Sequence, residues 1–176
     1  VLGKPLGVGI YSAALKKEKL GADGYAQMIG ATTRLNTPGP ALAALPGVHA
    51  ITDVTGFALA GHALELARGA GVTVQLDWSS VPLLPGVRDL AAQGIVTGAS
   101  GRNWAAYGAE VALPEGFADA ERALLTDPQT SGGLLVACAP ESLRAVLDVF
   151  KAQGFGDAAV VGRVLPKGEQ PLVVAA

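Results

Sequence analysis

Two short segments of this 176-residue chain combine a carboxylate, hydroxyls and glycines in a way that could bind a metal ion and a phosphorylated ligand. The first holds Asp53, Thr55 and Gly56, and the second is the string DPQTSGG at 127–133. Carboxylates suit Mg2+, while hydroxyls and the N–H groups of glycine turns can bind phosphate oxygens. Burial of apolar residues does not account for either pattern, so both segments are candidates for a functional site.

Asp53 ends a strand-like run that starts at Val48, and it comes before Gly56, where a helix is expected to begin. Its carboxylate is therefore predicted at the carboxyl end of a strand, which is where open α/β sheets bind ligands. One carboxylate there could serve Mg2+ together with phosphate oxygens and water. From the residues alone, the better supported alternative is that Asp53 caps the next helix or its turn.

Thr55 and Gly56 precede the same predicted helix and could offer a hydroxyl and N–H groups to phosphate at its N-terminus. A simple N-cap role for Thr55 is equally compatible with the sequence. His62 and Glu65 lie one turn apart and should share a face of that helix. Because no second histidine lies nearby, we expect His62 to be packed or hydrogen bonded rather than a metal ligand.

The second segment is predicted to be a turn, because Pro128 restricts φ and paired glycines permit conformations closed to other residues. Its hydroxyls and N–H groups could line an anion site. The candidate residues for that site are Thr130, Ser131, Gly132 and Gly133. The alternative is a tight entry into the apolar strand that starts at Leu134.

Apolar runs rich in β-branched residues alternate with helical patterns along the chain, which is typical of an α/β fold with helices packed on a mixed β-sheet. The predicted strands are 5–10, 48–54, 72–76, 134–139, 158–165 and 171–174. The predicted helices are 22–33, 40–45, 57–68, 87–93 and 141–153. Glycine and proline interrupt 97–127, which is predicted to be an irregular surface connection. No linker divides the chain, so residues 1–176 are expected to form a single domain.

Composition favours an ordered globular domain, because 50% of the residues are hydrophobic and 16% are charged. The net charge of −2 predicts no nucleic-acid surface, and the lysine cluster at 16–19 is predicted to be a solvated helix end. No apolar span reaches the roughly 18 residues of a membrane helix, so no membrane contact is expected. The single cysteine, Cys138, lies in an apolar run and is predicted to be a small core residue in a cytoplasmic protein.

The strings DVTGF at 53–57, GH at 61–62 and DPQTSGG at 127–133 together resemble the selenophosphate synthetase (selenide, water dikinase) family. That family is part of a larger group of ATP-dependent enzymes related to aminoimidazole ribonucleotide synthetase. The resemblance covers nearly the whole chain and implies the α/β C-terminal domain of this group. In particular, DPQTSGG distinguishes the family from thiamine monophosphate kinases and hydrogenase-maturation relatives that share the fold.

The resemblance implies an enzyme that converts ATP, selenide and water into selenophosphate, AMP and phosphate, with Mg2+ in its ATP site. It also implies that Asp53 is a Mg2+ ligand, which reverses the preference for a helix cap. In this family the catalytic Cys or selenocysteine, most nucleotide contacts and most dimer contacts belong to an N-terminal domain that this sequence lacks. We therefore expect no catalytic residue here, an inactive chain in isolation, and a homodimeric parent enzyme.

Two departures from the family pattern are visible. Ala58 stands where the family usually has glycine, and the glycine-rich run before Arg102 is altered at 97–101. Because alanine exceeds glycine in helix propensity by nearly ~1 kcal/mol, we expect Ala58 not to weaken the fold. Two other functions stay open: another ATP-dependent phosphotransferase of the same group, such as a thiamine monophosphate kinase-like enzyme, and a non-catalytic binding or dimerisation module.

Overall fold

The computed structural model describes residues 1–176, and helices and strands alternate along the chain as predicted. The helices are α1 (Val8–Lys16), α2 (Ala22–Thr33), α3 (Gly39–Ala43), α4 (Ala58–Ala70), α5 (Val87–Ala92), α6 (Gly98–Tyr107), α7 (Asp119–Leu125) and α8 (Leu143–Ala152). The strands are β1 (Val48–Asp53), β2 (Thr73–Asp77), β3 (Val111–Ala112), β4 (Leu134–Cys138), β5 (Gly162–Leu165) and β6 (Leu172–Ala175).

The strands form a four-stranded mixed sheet and a separate antiparallel pair. The mixed sheet has the order β3-β6-β2-β5, in which β6 runs parallel to both neighbours and β5 is antiparallel to β2. The pair joins β1 to β4 and places Asp53 opposite Leu134. The predicted mixed α/β fold is therefore confirmed, and the β1–β4 pairing brings the two candidate segments side by side.

The strand predicted at 5–10 is wrong, because residues from Val8 onward form α1. Val8 and Ile10 give this stretch a β-branched, alternating pattern, yet both are buried on a helix. The first N–H groups of the helix find acceptors on side chains more than 100 residues away. Tertiary contacts here override the local preference.

The irregular connection predicted at 97–127 is also wrong, since the segment contains α6, β3 and α7. The Thr97 hydroxyl accepts the N–H of Ser100 at 3.1 Å and so caps α6, despite the glycines at 98 and 101. The hydroxyls of Ser100 and Thr126 lie 2.7 Å apart, which ties α6 to the end of α7. These contacts offset the low helix propensity of glycine.

The other predicted helices and strands are present with bounds within a few residues, and α2 spans the predicted 22–33. The strand predicted at 158–165 is shorter and begins at Gly162. The lysine cluster at 16–19 is exposed at the end of α1, as predicted. Cys138 is a free, half-buried thiol on β4 that packs against apolar residues. No helix is both long enough and apolar enough to cross a membrane.

Two apolar clusters hold these elements together. The larger one packs α4 on the mixed sheet and α7 on α4, with Leu64, Leu124 and Leu172 fully buried. The smaller one packs α3 and α8 on the β1–β4 pair through Val136 and Phe150. The first candidate segment begins at the end of β1, and the second ends just before β4. Both therefore lie where the smaller cluster meets the rest of the chain.

Candidate functional site

The two segments are joined by backbone hydrogen bonds. We refer to residues 53–57 as the Asp53 segment and to residues 127–133 as the Asp127 segment. The N–H of Val54 donates to the Gly133 carbonyl at 2.9 Å, and the N–H of Gln129 donates to the Thr55 carbonyl at 3.0 Å. The sequence identified two separate candidates, and the structure unites them in one region.

Asp53 is exposed at the carboxyl end of β1. Its carboxylate takes part in none of the side-chain hydrogen bonds or salt bridges of the chain, and α4 has no side-chain N-cap. The alternative that Asp53 caps the helix is therefore wrong. An exposed carboxylate without an internal partner is free to bind a cation from outside the fold.

Thr55 does not cap α4 with its side chain either. Its Oγ1 lies 3.2 Å from Nε2 of His62, and Nδ1 of His62 lies 2.9 Å from Oε2 of Glu65. His62 is buried, so the prediction of a packed and hydrogen-bonded histidine is confirmed, as is the shared helix face with Glu65. The Thr55 carbonyl accepts the N–H of Ala58 at 3.0 Å, which closes the turn into the helix.

Asp127 contrasts with Asp53 because it is fully buried. Its Oδ2 accepts the N–H of Gly9 at 3.0 Å, that of Ile10 at 3.3 Å and the Gln129 side-chain amide at 3.0 Å. Burial raises the pKa of the Asp127 carboxyl to about 7, while these hydrogen bonds oppose the rise. Its Oδ1 is buried without a hydrogen-bond partner.

Gln129 completes the same interaction. Its Oε1 accepts the N–H groups of Gly7 and Val8, each at 3.2 Å. Asp127 and Gln129 together bind four successive N–H groups at the start of α1, which have no acceptor within the helix. We call this the α1 cap. The first half of DPQTSGG thus has a structural role, which sequence reasoning missed because the N–H groups it binds lie 117 to 122 residues away.

The glycines of the Asp127 segment allow backbones to approach closely. Gly132 and Gly133 are buried, and an added methyl group would overlap the Val54 carbonyl at the first position and the Lys4 backbone at the second. This geometry supports the alternative of a tight entry into β4 for these two residues. Thr130, by contrast, is exposed.

Lys4 is a buried residue that the sequence did not single out. Its Nζ donates to the carbonyls of Arg34 and Ser131, both at 2.6 Å, and to that of Ala31 at 3.3 Å. Burial lowers the pKa of this ammonium, and the charge of Arg34 adds to the effect. Ser131 has a φ of 52°, so Lys4 holds the Asp127 segment in a left-handed turn that serine rarely adopts.

Ala58 also has a left-handed backbone, with a φ of 64°, although it is the first residue of α4. The expectation that Ala58 does not weaken the fold is wrong in its premise, because Ala58 lies in the turn rather than in regular helical geometry. For a residue with a Cβ this conformation costs roughly 1–2 kcal/mol. The glycine usual in the related family would adopt it without strain.

The donor set around Asp53 fits a shared cation site. No group of three or more His, Cys, Asp or Glu side chains could enclose a metal ion. Mg2+ commonly uses one or two carboxylates and completes its shell with phosphate oxygens and water. Asp53 could supply one carboxylate of such a shell, and a nucleotide with groups from elsewhere would supply the remainder.

Residues 1–174 match the family described as AIR synthase related protein, C-terminal domain, and the chain belongs to this family. Within it, the most informative relatives carry the name selenide, water dikinase. One from Burkholderia orbicola is 64% identical over 165 residues, covering 94% of this chain and 47% of that protein. One from Rhizobium meliloti is 52% identical over 174 residues, covering 99% of this chain and 50% of that protein. The family resemblance inferred from the motifs is confirmed.

The chain spans about half the length of these relatives. Solved structures give the same fold at lower identity. HypE from E. coli superposes with a TM-score of 0.70 at 21% identity, covering 99% of this chain and 45% of that one. A thiamine-monophosphate kinase from Stenotrophomonas maltophilia gives 0.60 at 18% identity, covering 97% and 47%. These likenesses establish the AIR synthase-like fold.

Proposed function

We propose that this chain is the C-terminal part of a selenide, water dikinase, which makes selenophosphate from ATP, selenide and water and releases AMP and phosphate. Its product would serve selenocysteine and selenouridine synthesis. Identity of 64% to a protein of that name supports the proposal, and the DPQTSGG string is intact. The observation that carries the role of this chain is the exposed, unpartnered Asp53 carboxylate at the end of β1.

Asp53 would bind Mg2+ that accompanies the nucleotide. When bound, that ion would offset the negative charge of the polyphosphate. Thr55, Gly56 and Thr130 are accessible beside it and are our candidates for the phosphate side of the site. We assign a structural role in this region to Ser131, Gly132 and Gly133. Lys4 donates a hydrogen bond to the Ser131 carbonyl, and the two glycines pack closely against the Val54 carbonyl and the Lys4 backbone.

The single thiol of the chain, that of Cys138, is half-buried among apolar residues. We therefore assign no catalytic residue to the chain and expect it to be inactive alone. Its principal partner would be an N-terminal domain of the same protein, within a homodimer. The single cysteine is consistent with a reducing cytoplasm.

Phosphorus NMR of ATP, Mg2+ and selenide incubated with the complete two-domain protein tests the proposal. We expect resonances of selenophosphate, AMP and phosphate with the complete protein and none with this chain alone. Formation of ADP without selenophosphate would overturn the assignment and favour another phosphotransferase of the same fold. Selenophosphate formed by the chain alone would overturn its dependence on a second domain.

A further inference from the structure

Three side chains form a hydrogen-bonded line that starts at the Asp53 segment and continues on α4. Oγ1 of Thr55 lies 3.2 Å from Nε2 of His62, whose Nδ1 lies 2.9 Å from Oε2 of Glu65. The His62 side chain is 8% exposed and that of Glu65 is 50% exposed. The line therefore begins at a partly exposed threonine, passes through a buried ring and ends at a half-exposed carboxylate.

The carboxylate determines which ring nitrogen carries the proton. An ionised Glu65 can only accept a hydrogen bond, so Nδ1 of His62 must be the donor toward it. In a singly protonated ring Nε2 is then a bare acceptor, and the donor that faces it is the Thr55 hydroxyl. The only proton of that hydroxyl is thereby used inside the fold.

The exposure pattern places Thr55 beside Asp53. Asp53 is exposed, Val54 is fully buried and Thr55 is partly exposed, which is the alternation of an extended chain. Asp53 and Thr55 are thus two accessible residues on either side of a buried one. This spacing would allow a cation bound by the Asp53 carboxylate to contact the Thr55 oxygen as well.

We propose that His62 and Glu65 are positioning residues that orient the Thr55 hydroxyl. Its oxygen lone pairs would then coordinate the cation at Asp53 or accept a hydrogen bond from a water molecule bound to that cation. Thr55 would then serve the phosphate side of the site through the bound cation, because the proton of its hydroxyl points to His62 and is not available to a phosphate oxygen. This inference rests on the proposed nucleotide function for the cation itself. The tautomer of His62 does not depend on that function and can be tested separately.

The first test is the protonation site of His62, measured by nitrogen and carbon NMR of the ring in this chain at alkaline pH. The chain has two histidines, and His49, on the first strand, makes no side-chain hydrogen bond and serves as the internal reference. We expect the His62 proton on Nδ1 and a mixture of tautomers for His49. A His62 proton mainly on Nε2, or averaged as in His49, would overturn the proposal.

The second test is a double-mutant cycle on the affinity of the complete two-domain protein for magnesium ATP, measured by calorimetry. We expect Thr55→Val to weaken binding about 10-fold and His62→Gln to weaken it several-fold, as outer-shell changes around metals do. His62→Gln should add no further loss to Thr55→Val, because the hydroxyl it orients is already gone. Thr55→Ser should retain binding, and His49→Gln is the matched control.

Additive losses in that cycle would assign His62 a general structural role and overturn the proposal. Unchanged binding by Thr55→Val would do the same. Neither result bears on the nucleotide function, which Asp53→Asn reports in the same assay. If Asp53→Asn lost affinity for magnesium ATP and Thr55→Val did not, the proposed function would stand, but the proposal that His62 and Glu65 orient Thr55 would be rejected.

Discussion

Asp53 and Asp127 each begin a similar string, in which a carboxylate is followed by a hydroxyl and glycine, but their surroundings are opposite. Asp53 is exposed and has no partner in the chain. Asp127 is fully buried and accepts three hydrogen bonds, two of them from the start of α1. Motif chemistry alone therefore does not separate Asp53, which we propose as a ligand-binding carboxylate, from a structural carboxylate such as Asp127, and burial and hydrogen-bond partners are the features that differ between them.

The largest expected effect is the loss of the α1 cap. Asp127→Ala should lower the free energy of unfolding by about 3 kcal/mol, because it leaves buried N–H groups without an acceptor. Urea denaturation of the chain measures this change. Asp53→Ala is the matched control and should stay within about 0.5 kcal/mol of wild type, as exposed substitutions do. Equal losses of unfolding free energy in the two variants would contradict the view that Asp127 is structural and Asp53 is not.

Gly132→Ala should destabilise the chain by about 2–3 kcal/mol, because the methyl group would overlap the Val54 carbonyl and force two backbones apart. Gly56→Ala is the control in the Asp53 segment, where nothing lies within 4 Å of the added carbon. Thermal unfolding of both variants makes the comparison. A tolerated Gly132→Ala would mean that the two segments are not packed as closely as the structure has them.

Asp127 also predicts a pH dependence of stability. Its pKa is about 7 in the folded chain against an ordinary value of 3.8, so between these pH values the folded state binds more protons than the unfolded state. Stability should therefore fall by on the order of 2 kcal/mol as pH rises from 4 to 7 through this group. Asp127→Asn should flatten the curve, measured by denaturation across that range. An unchanged pH profile in Asp127→Asn would contradict the raised pKa.

The smallest effect concerns the strained turn into α4. Ala58→Gly should stabilise the chain by about 0.5 kcal/mol, because relief of the left-handed strain exceeds the loss of one buried methyl group. Ala26→Gly, at an exposed position inside α2, should instead destabilise by about 1 kcal/mol. Calorimetric melting temperatures that shift in the same direction for both variants would show that Ala58 carries no strain.

Local patterns predicted the elements whose structure depends on nearby residues. The helix α2 has its predicted bounds, and α8 buries Val146 and Phe150 on one face as its spacing requires. The strand predicted at 5–10 failed because Asp127 and Gln129 supply the cap of α1 from the far end of the chain. A local pattern carries no information about such a partner.

In the candidate site, too, the sequence predicted the local features but not the contacts between distant segments. The sequence identified Asp53, Thr55 and the Asp127 segment from residue types alone. It could not show that Lys4 holds the Ser131 carbonyl, or that the hydroxyl of Tyr107 donates to the Phe57 carbonyl at 2.7 Å, because these contacts join distant segments. It also could not show the left-handed φ of Ala58, since helix propensity describes residues already in a helix.

The most direct measurement is the affinity of the complete two-domain protein for magnesium ATP, compared between Asp53→Asn and Asp127→Asn by titration calorimetry. Asparagine at 127 keeps an acceptor for the α1 cap, so both variants should fold. We expect Asp53→Asn to weaken binding by about 10-fold or more, in line with the effect of disturbing a metal site, and Asp127→Asn to leave it unchanged. Weakened binding in Asp127→Asn with normal binding in Asp53→Asn would contradict the division between a ligand-binding and a structural carboxylate.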